Sequence, residues 1–103
     1  MSRRLAAAIR FLPAEEGGFR RDPQIGVRPL IRVAEILTSC VVTATGVEAS
    51  FERGREYEVT LEVLFWDEYC HLFRDGMVIE LYDGSRCVGR GRFLEPIALP
   101  PRS

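Results

Sequence analysis

The sequence predicts an all-β protein, a small six-stranded antiparallel closed barrel, and three observations predict it. Along residues 56–66, Tyr57, Val59, Leu61, Val63 and Phe65 alternate with Glu56, Glu58, Thr60 and Glu62. Period two is the pattern of a strand with one face in a core and the other in water. Asp83, Gly84 and Ser85 sit between two further strand-like runs and signal a tight hairpin turn. Polar turns separate the runs, no stretch reads convincingly as helix, and closure removes the edges that strands this apolar would otherwise expose. The strand at 56–66 needs such closure, because burying its apolar face is offset by the entropy of ordering its backbone.

Taken in order, residues 5–12 are the first strand, with Leu5, Ala7, Ile9 and Phe11 on one face opposite Arg4 and Arg10, although the three alanines keep a helix as the alternative. Pro13 ends it and opens a loop of roughly fourteen residues, longer than a simple hairpin needs and therefore a candidate working surface. Gly17 and Gly18 are available there for positive φ, and Pro23 stiffens the second half. Residues 27–38 predict one long strand in which Ile31, Val33 and Leu37 share a face while Arg28 and Arg32 point away. Pro29 and Glu35 place an edge or a bulge in it. Residues 40–45 are a short β-branched strand ended by Gly46, and 46–55 are loop, with Phe51 as its apolar anchor.

Residues 67–76 are a polar and aromatic connection. Met77, Ile79 and Leu81 then form a strand face, and 86–93 return as the hairpin partner. Gly89 and Gly91 lie on one face of that last strand, where another backbone or a large side chain can approach closely. Residues 1–95 make the single domain and 96–103 a Pro-rich tail.

A chain of 103 residues holds one modest core and has no room for a nucleotide-binding domain beside it, so the barrel is expected to act alone or with a partner. Fourteen basic and fifteen acidic residues give a formal net charge of -1, which argues against non-specific attraction to nucleic acid or anionic membrane. Cys40, Cys70 and Cys87 are odd in number and widely spaced, a pattern that favours reduced, buried thiols in a cytoplasmic protein over a disulfide framework, with a single pair as the alternative. The apolar run after Arg3 and Arg4 stops at Arg10, too short for a secretory signal, and nothing reaches the length of a membrane span.

Two segments carry a family resemblance. Glu16, Gly17, Gly18 and Phe19 are followed, after a variable loop, by Gly26, Val27, Arg28 and Pro29. Later come Asp75 and Gly76, then Ser85, Arg86, Cys87, Val88, Gly89, Arg90 and Gly91. In this order and spacing, over about residues 5 to 95, the chain resembles the C-terminal β-barrel domain, the third domain, of the elongation factor Tu family. The resemblance implies the same barrel. It also implies contacts with proteins and with the T stem of aminoacyl-tRNA, which are what that domain makes in the family. The family Arg after the two glycines is Phe19 here, with Arg20 and Arg21 next in line, and Arg90 replaces a small residue. No GxxxxGKS or GxxxxGKT loop is present, so no nucleotide cofactor is expected.

No nucleophile and base, metal cluster or phosphate loop stands out, so the sequence predicts a non-catalytic protein with neither cofactor nor metal. Cys70 beside His71 lacks the further ligands or the held base that either chemistry needs. A protein-binding surface is expected on Glu16, Gly17, Gly18, Phe19, Arg20, Arg21 and Arg28 together with Trp66, Tyr69 and Phe73, since aromatic residues and Arg are enriched in interface hot spots. The same aromatics serve equally well as plugs for the barrel ends. The alternative is binding of tRNA or other RNA through Arg20, Arg21, Arg28, Arg86 and Arg90, which with Arg32 and Arg92 would form a basic strip. The competing reading pairs these arginines with Glu58 and Glu62 across strands.

Overall fold

In the computed structural model, which describes residues 1–44, 46 and 50–97, six strands form: β1 (Arg3–Phe11), β2 (Leu30–Val33), β3 (Ile36–Ala44), β4 (Glu56–Val63), β5 (Val78–Asp83) and β6 (Arg86–Phe93). They close into a barrel in the order β1-β4-β3-β2-β5-β6, every neighbouring pair antiparallel. The predicted fold class is the observed one. Thr45, the last residue of the predicted third strand, residues 47–49 of the predicted loop and residues 98–103 of the predicted tail lie outside the described residues.

The period-two faces point as expected. Leu5, Ala7, Ile9 and Phe11 of β1, Val59, Leu61 and Val63 of β4, and Ile79 and Leu81 of β5 are buried in one core with Ile31, Val33, Cys40, Val42 and Val88. The two late glycines do what their shared face predicts. A Cβ on Gly91 would stand 1.9 Å from the Ala8 carbonyl oxygen, and one on Gly89 would meet the Phe11 and Leu81 side chains at 3.3 and 3.4 Å. Between β5 and β6 the register shifts at Leu81 and Tyr82, a bulge that turns both Val88 and Gly89 inward.

Residues 27–38 depart from the single predicted strand. Val33 pairs with Ile36, so Ala34 and Glu35 form a two-residue hairpin turn, with Ala34 at φ 53°. Glu35 is exposed at that turn instead of marking an edge or bulge, and Leu37 points outward instead of sharing a face with Ile31 and Val33. The sequence hides this turn because it uses neither Gly nor Asn, the residues that tolerate left-handed backbone. Upstream, Val27 bridges Val42 in the register that β2 keeps further along, and the Pro29 carbonyl accepts from the Cys40 amide at 3.2 Å. Pro29 interrupts the ladder because it has no N–H to give.

β4 ends at Val63, before the predicted limit of 66. Phe65 is therefore exposed and Trp66 opens a short helical turn, α1 (Trp66–Tyr69), continued by a 3-10 turn at Cys70–Leu72. These turns, and another at Ala14–Glu16, lie where no helix was predicted. They are too short to show a helical period.

Candidate interaction surface at the loop-bearing end

Antiparallel closure sorts the connections between two ends. The chain from Leu12 to Pro29, the segment around Phe51 and the Asp83–Arg86 hairpin share one end. The N-terminus, the Ala34–Glu35 turn, residues 64–77 and the chain after Phe93 share the other.

The long loop is built into the barrel. Phe11, the last residue of β1, stacks on Phe51 with ring centroids 5.2 Å apart, and Phe51 meets Tyr57 edge-on at 5.3 Å. Phe19 comes over this group, 6.2 Å from Phe11. Backbone bonds hold the loop on both sides. The Phe51 amide donates to the Pro23 carbonyl at 2.8 Å, Gly26 to Val42 at 2.8 Å, and Val42 back to Val27 at 2.9 Å. Gly17 takes a left-handed φ of 90° as predicted. Gly18 does not need one; a Cβ there would stand 1.8 Å from the Leu12 carbonyl oxygen, so close approach fixes that residue as glycine.

Two ion pairs clamp the loop. Arg10 of β1 donates to Glu16 at 2.9 Å and to the Gly54 carbonyl at 3.1 Å, joining strand, loop and the facing segment. The Arg10 guanidinium holds the Glu16 carboxyl below its usual value, first by hydrogen bonding. Arg53 donates to Asp22 through both its Nε, at 2.9 Å, and its backbone amide, at 3.1 Å, and to the Phe19 carbonyl at 2.6 Å. The Asp22 carboxyl is likewise held below its usual value. Neither Arg53 nor Asp22 stood out in the sequence. They are 31 positions apart, and no local spacing announces such a pair.

The predicted site residues divide. Glu16 is engaged with Arg10, Gly18 is buried and Phe19 is half-buried on Phe11. Gly17, Arg20, Arg21 and Arg28 are exposed. The chain gives Arg20, Arg21 and Arg28 no hydrogen-bonding or ionic partner among the described residues, whereas Asp22 beside them is taken by Arg53. Arg86 is paired with Asp83 at 3.4 Å, and Arg90 lies across from Arg10 in the β1–β6 register. Arg92 is paired with Glu56 at 2.8 Å and Arg32 reaches the Tyr82 hydroxyl at 3.5 Å. The predicted strip is thus partly neutralised from within, though through Asp83 and Glu56 instead of Glu58 and Glu62.

Trp66, Tyr69 and Phe73 are not brought to this surface. They belong to the opposite end, where Trp66 stacks on Phe73 at 4.9 Å and Phe73 meets Phe93 at 6.1 Å. Trp66 and Phe73 are buried, Tyr69 is half-buried, and the Arg3 guanidinium lies 5.6 Å over the Trp66 ring. About 26 Å of β1 separates that plug, beside Arg3, from the one beside Phe11. The aromatics therefore plug the barrel ends, the second of the two roles the sequence allowed them, and the single surface predicted to unite them with the loop is not formed.

Of the three cysteines expected to be buried, Cys40 is, its Sγ 3.4 Å from the Pro29 carbonyl and its thiol pushed by burial up to about 12, whereas Cys70 and Cys87 are half-exposed. Among the described residues no three His, Cys, Asp or Glu are grouped to hold a metal ion, and no helix is long and apolar enough to cross a membrane. No protein-family model matches this chain, and no curated protein matches it either.

Proposed function

We propose that this is a non-catalytic β-barrel that binds another protein through its loop-bearing end. Arg20, Arg21 and Arg28 take carboxylates on an acidic patch of the partner. The observation that supports the reading is that these three exposed arginines have no partner among the described residues and sit on a loop clamped by Arg10–Glu16 and Arg53–Asp22. A loop held in place loses little entropy on binding. Arginine forks suit carboxylates, and exposed Glu15 and Glu52 at the same end make a mixed surface that fits a protein better than a phosphate backbone. The order of the Gly17–Gly18, Gly26–Pro29 and Arg86–Gly91 motifs supports kinship with the elongation factor Tu C-terminal barrel. The free thiols fit a cytoplasmic setting.

The test is a pull-down from cytoplasmic extract with wild type and with an Arg20→Ala, Arg21→Ala, Arg28→Ala triple variant. A partner held by wild type and lost by the variant supports the reading; identical partner sets sink it.

The same three arginines also support a second reading, binding of tRNA or other RNA. Its mark is salt dependence, since each phosphate contact on a duplex adds about -0.9 to the slope of log affinity against log salt. A gel shift that is present at low salt, steeply weakened at higher salt and lost in the triple variant favours RNA over protein.

A further inference from the structure

Among the described residues, the exposed large apolar side chains all fall at the end away from the long loop. Phe65 lies just past β4, Ile36 and Leu37 open β3, Val78 opens β5 and Leu94 follows β6; Met1 is at the same end. In barrel order β4-β3-β2-β5-β6 these positions run around the rim, and β2 adds the exposed Ala34 at its turn. Val78 is 66% exposed and Phe65 49%. The described residues of the loop-bearing end contain no exposed large apolar side chain. Scattered apolar exposure is ordinary, but its confinement, among the described residues, to one end of the barrel is not.

We infer that this arc is a self-association surface, at which two copies of the chain meet end to end about a two-fold axis. Area supports the assignment. Leaving Met1 aside, the five side chains expose on the order of 400 Å² of largely apolar surface per copy, the scale of a functional patch. If that surface is the ~60% apolar share of an interface, two copies bury on the order of 1,400 Å² in total, inside the range of specific complexes. Charge supports it as well. Arg32 stands beside the arc with Glu35 and Glu80 close enough to act on it, and Arg4 and Arg74 share this end with Asp67, Glu68 and Asp75. A rim carrying both signs can set guanidinium against carboxylate across a two-fold axis, where a rim of one sign would repel its own copy.

The experiment is sedimentation velocity over a wide concentration range on wild type, Val78→Glu, Phe65→Glu and the Arg20→Ala, Arg21→Ala, Arg28→Ala triple variant. Wild type is expected to pass from one chain to two as concentration rises. Each Glu variant, present twice in a symmetric interface, raises the dissociation constant at least ~10-fold. The triple variant at the opposite end dimerises as wild type does, which keeps this inference separate from the proposed partner-binding role. Because Val78 and Phe65 are exposed, circular dichroism is expected to show both Glu variants folded. A single-chain mass at every concentration, an open-ended assembly, or dimers unmoved by either Glu variant would overturn the inference.

Discussion

At one end of the barrel Phe11, Phe19, Phe51 and Tyr57 fill the mouth under an ionic outer layer of Arg10–Glu16, Arg53–Asp22 and the exposed Arg20, Arg21 and Arg28. At the other, Trp66, Phe73 and Phe93 fill the mouth, and the rim carries Ile36, Leu37, Phe65, Val78 and Leu94. The aromatic plug is common to both because a short closed barrel must bury its last core layer whatever its surface does. The difference lies outside the plug. A charged end suits contacts that discriminate by charge, whereas an apolar rim suits contacts driven by burial.

The largest expected effects come from the plugs. Phe51→Ala and Phe73→Ala each remove a fully buried ring and should cost about 3–5 kcal/mol in denaturant unfolding. Their effects on the long loop differ. Phe51→Ala should also release the long loop, because the Phe51 amide holds Pro23 and its ring holds Phe11; Phe73→Ala should leave that loop in place. Equal loosening of the loop in both variants would deny that the two ends are separate.

Smaller effects probe the loop itself. Gly17→Ala meets open space but must hold φ near 90°, a cost of about 1–2 kcal/mol. Gly18→Ala drives a Cβ against the Leu12 carbonyl and should cost more, reversing what positive φ alone would predict. Ala34→Gly, at the turn of the opposite end, should relieve left-handed backbone and stabilise by at most about 1 kcal/mol. Thermal melts check all three.

Cysteine chemistry and acid distinguish core from surface. Cys40, its thiol raised to about 12, should resist a thiol reagent at neutral pH until unfolding, while half-exposed Cys70 and Cys87 react in the native protein. The Glu16 and Asp22 carboxyls are held below their ordinary values of 4.5 and 3.8. Their contribution to holding the loop is therefore present above those values and lost as pH falls through the lower folded ones. Acid should loosen the loop before the barrel, and Asp22→Asn should reduce that pH dependence.

Much of the wall was legible in the sequence because period two needs only local information. Tyr57 to Val63 and Asp83–Ser85 announced β4 and the last hairpin, and Gly89 and Gly91 announced close approach. The Ala34–Glu35 turn was not legible, since Ala carries no turn signal and the flanking apolar residues read straight through it. Trp66 was placed at the end of a strand because alternation continued two residues past the last β4 pair, to Phe65. The site was less legible than the wall. Arg20, Arg21 and Arg28 were read as exposed, but that Asp22 beside them is already taken depends on Arg53 reaching it from a distant segment, and long-range pairing leaves no local mark. Which aromatics share an end is likewise a property of closure, so Trp66 and Phe19 could not be separated before the strand order was known.

The loop between β1 and β2 is a fixed part of the barrel that presents its arginines from a clamped backbone. Native-state amide hydrogen exchange at single-residue resolution tests it most directly. Slow exchange is expected at Gly18, Gly26 and Phe51, whose amides donate to Pro13, Val42 and Pro23. Exchange of those three at the rate of an open chain, with β1 and β4 still protected, would contradict it.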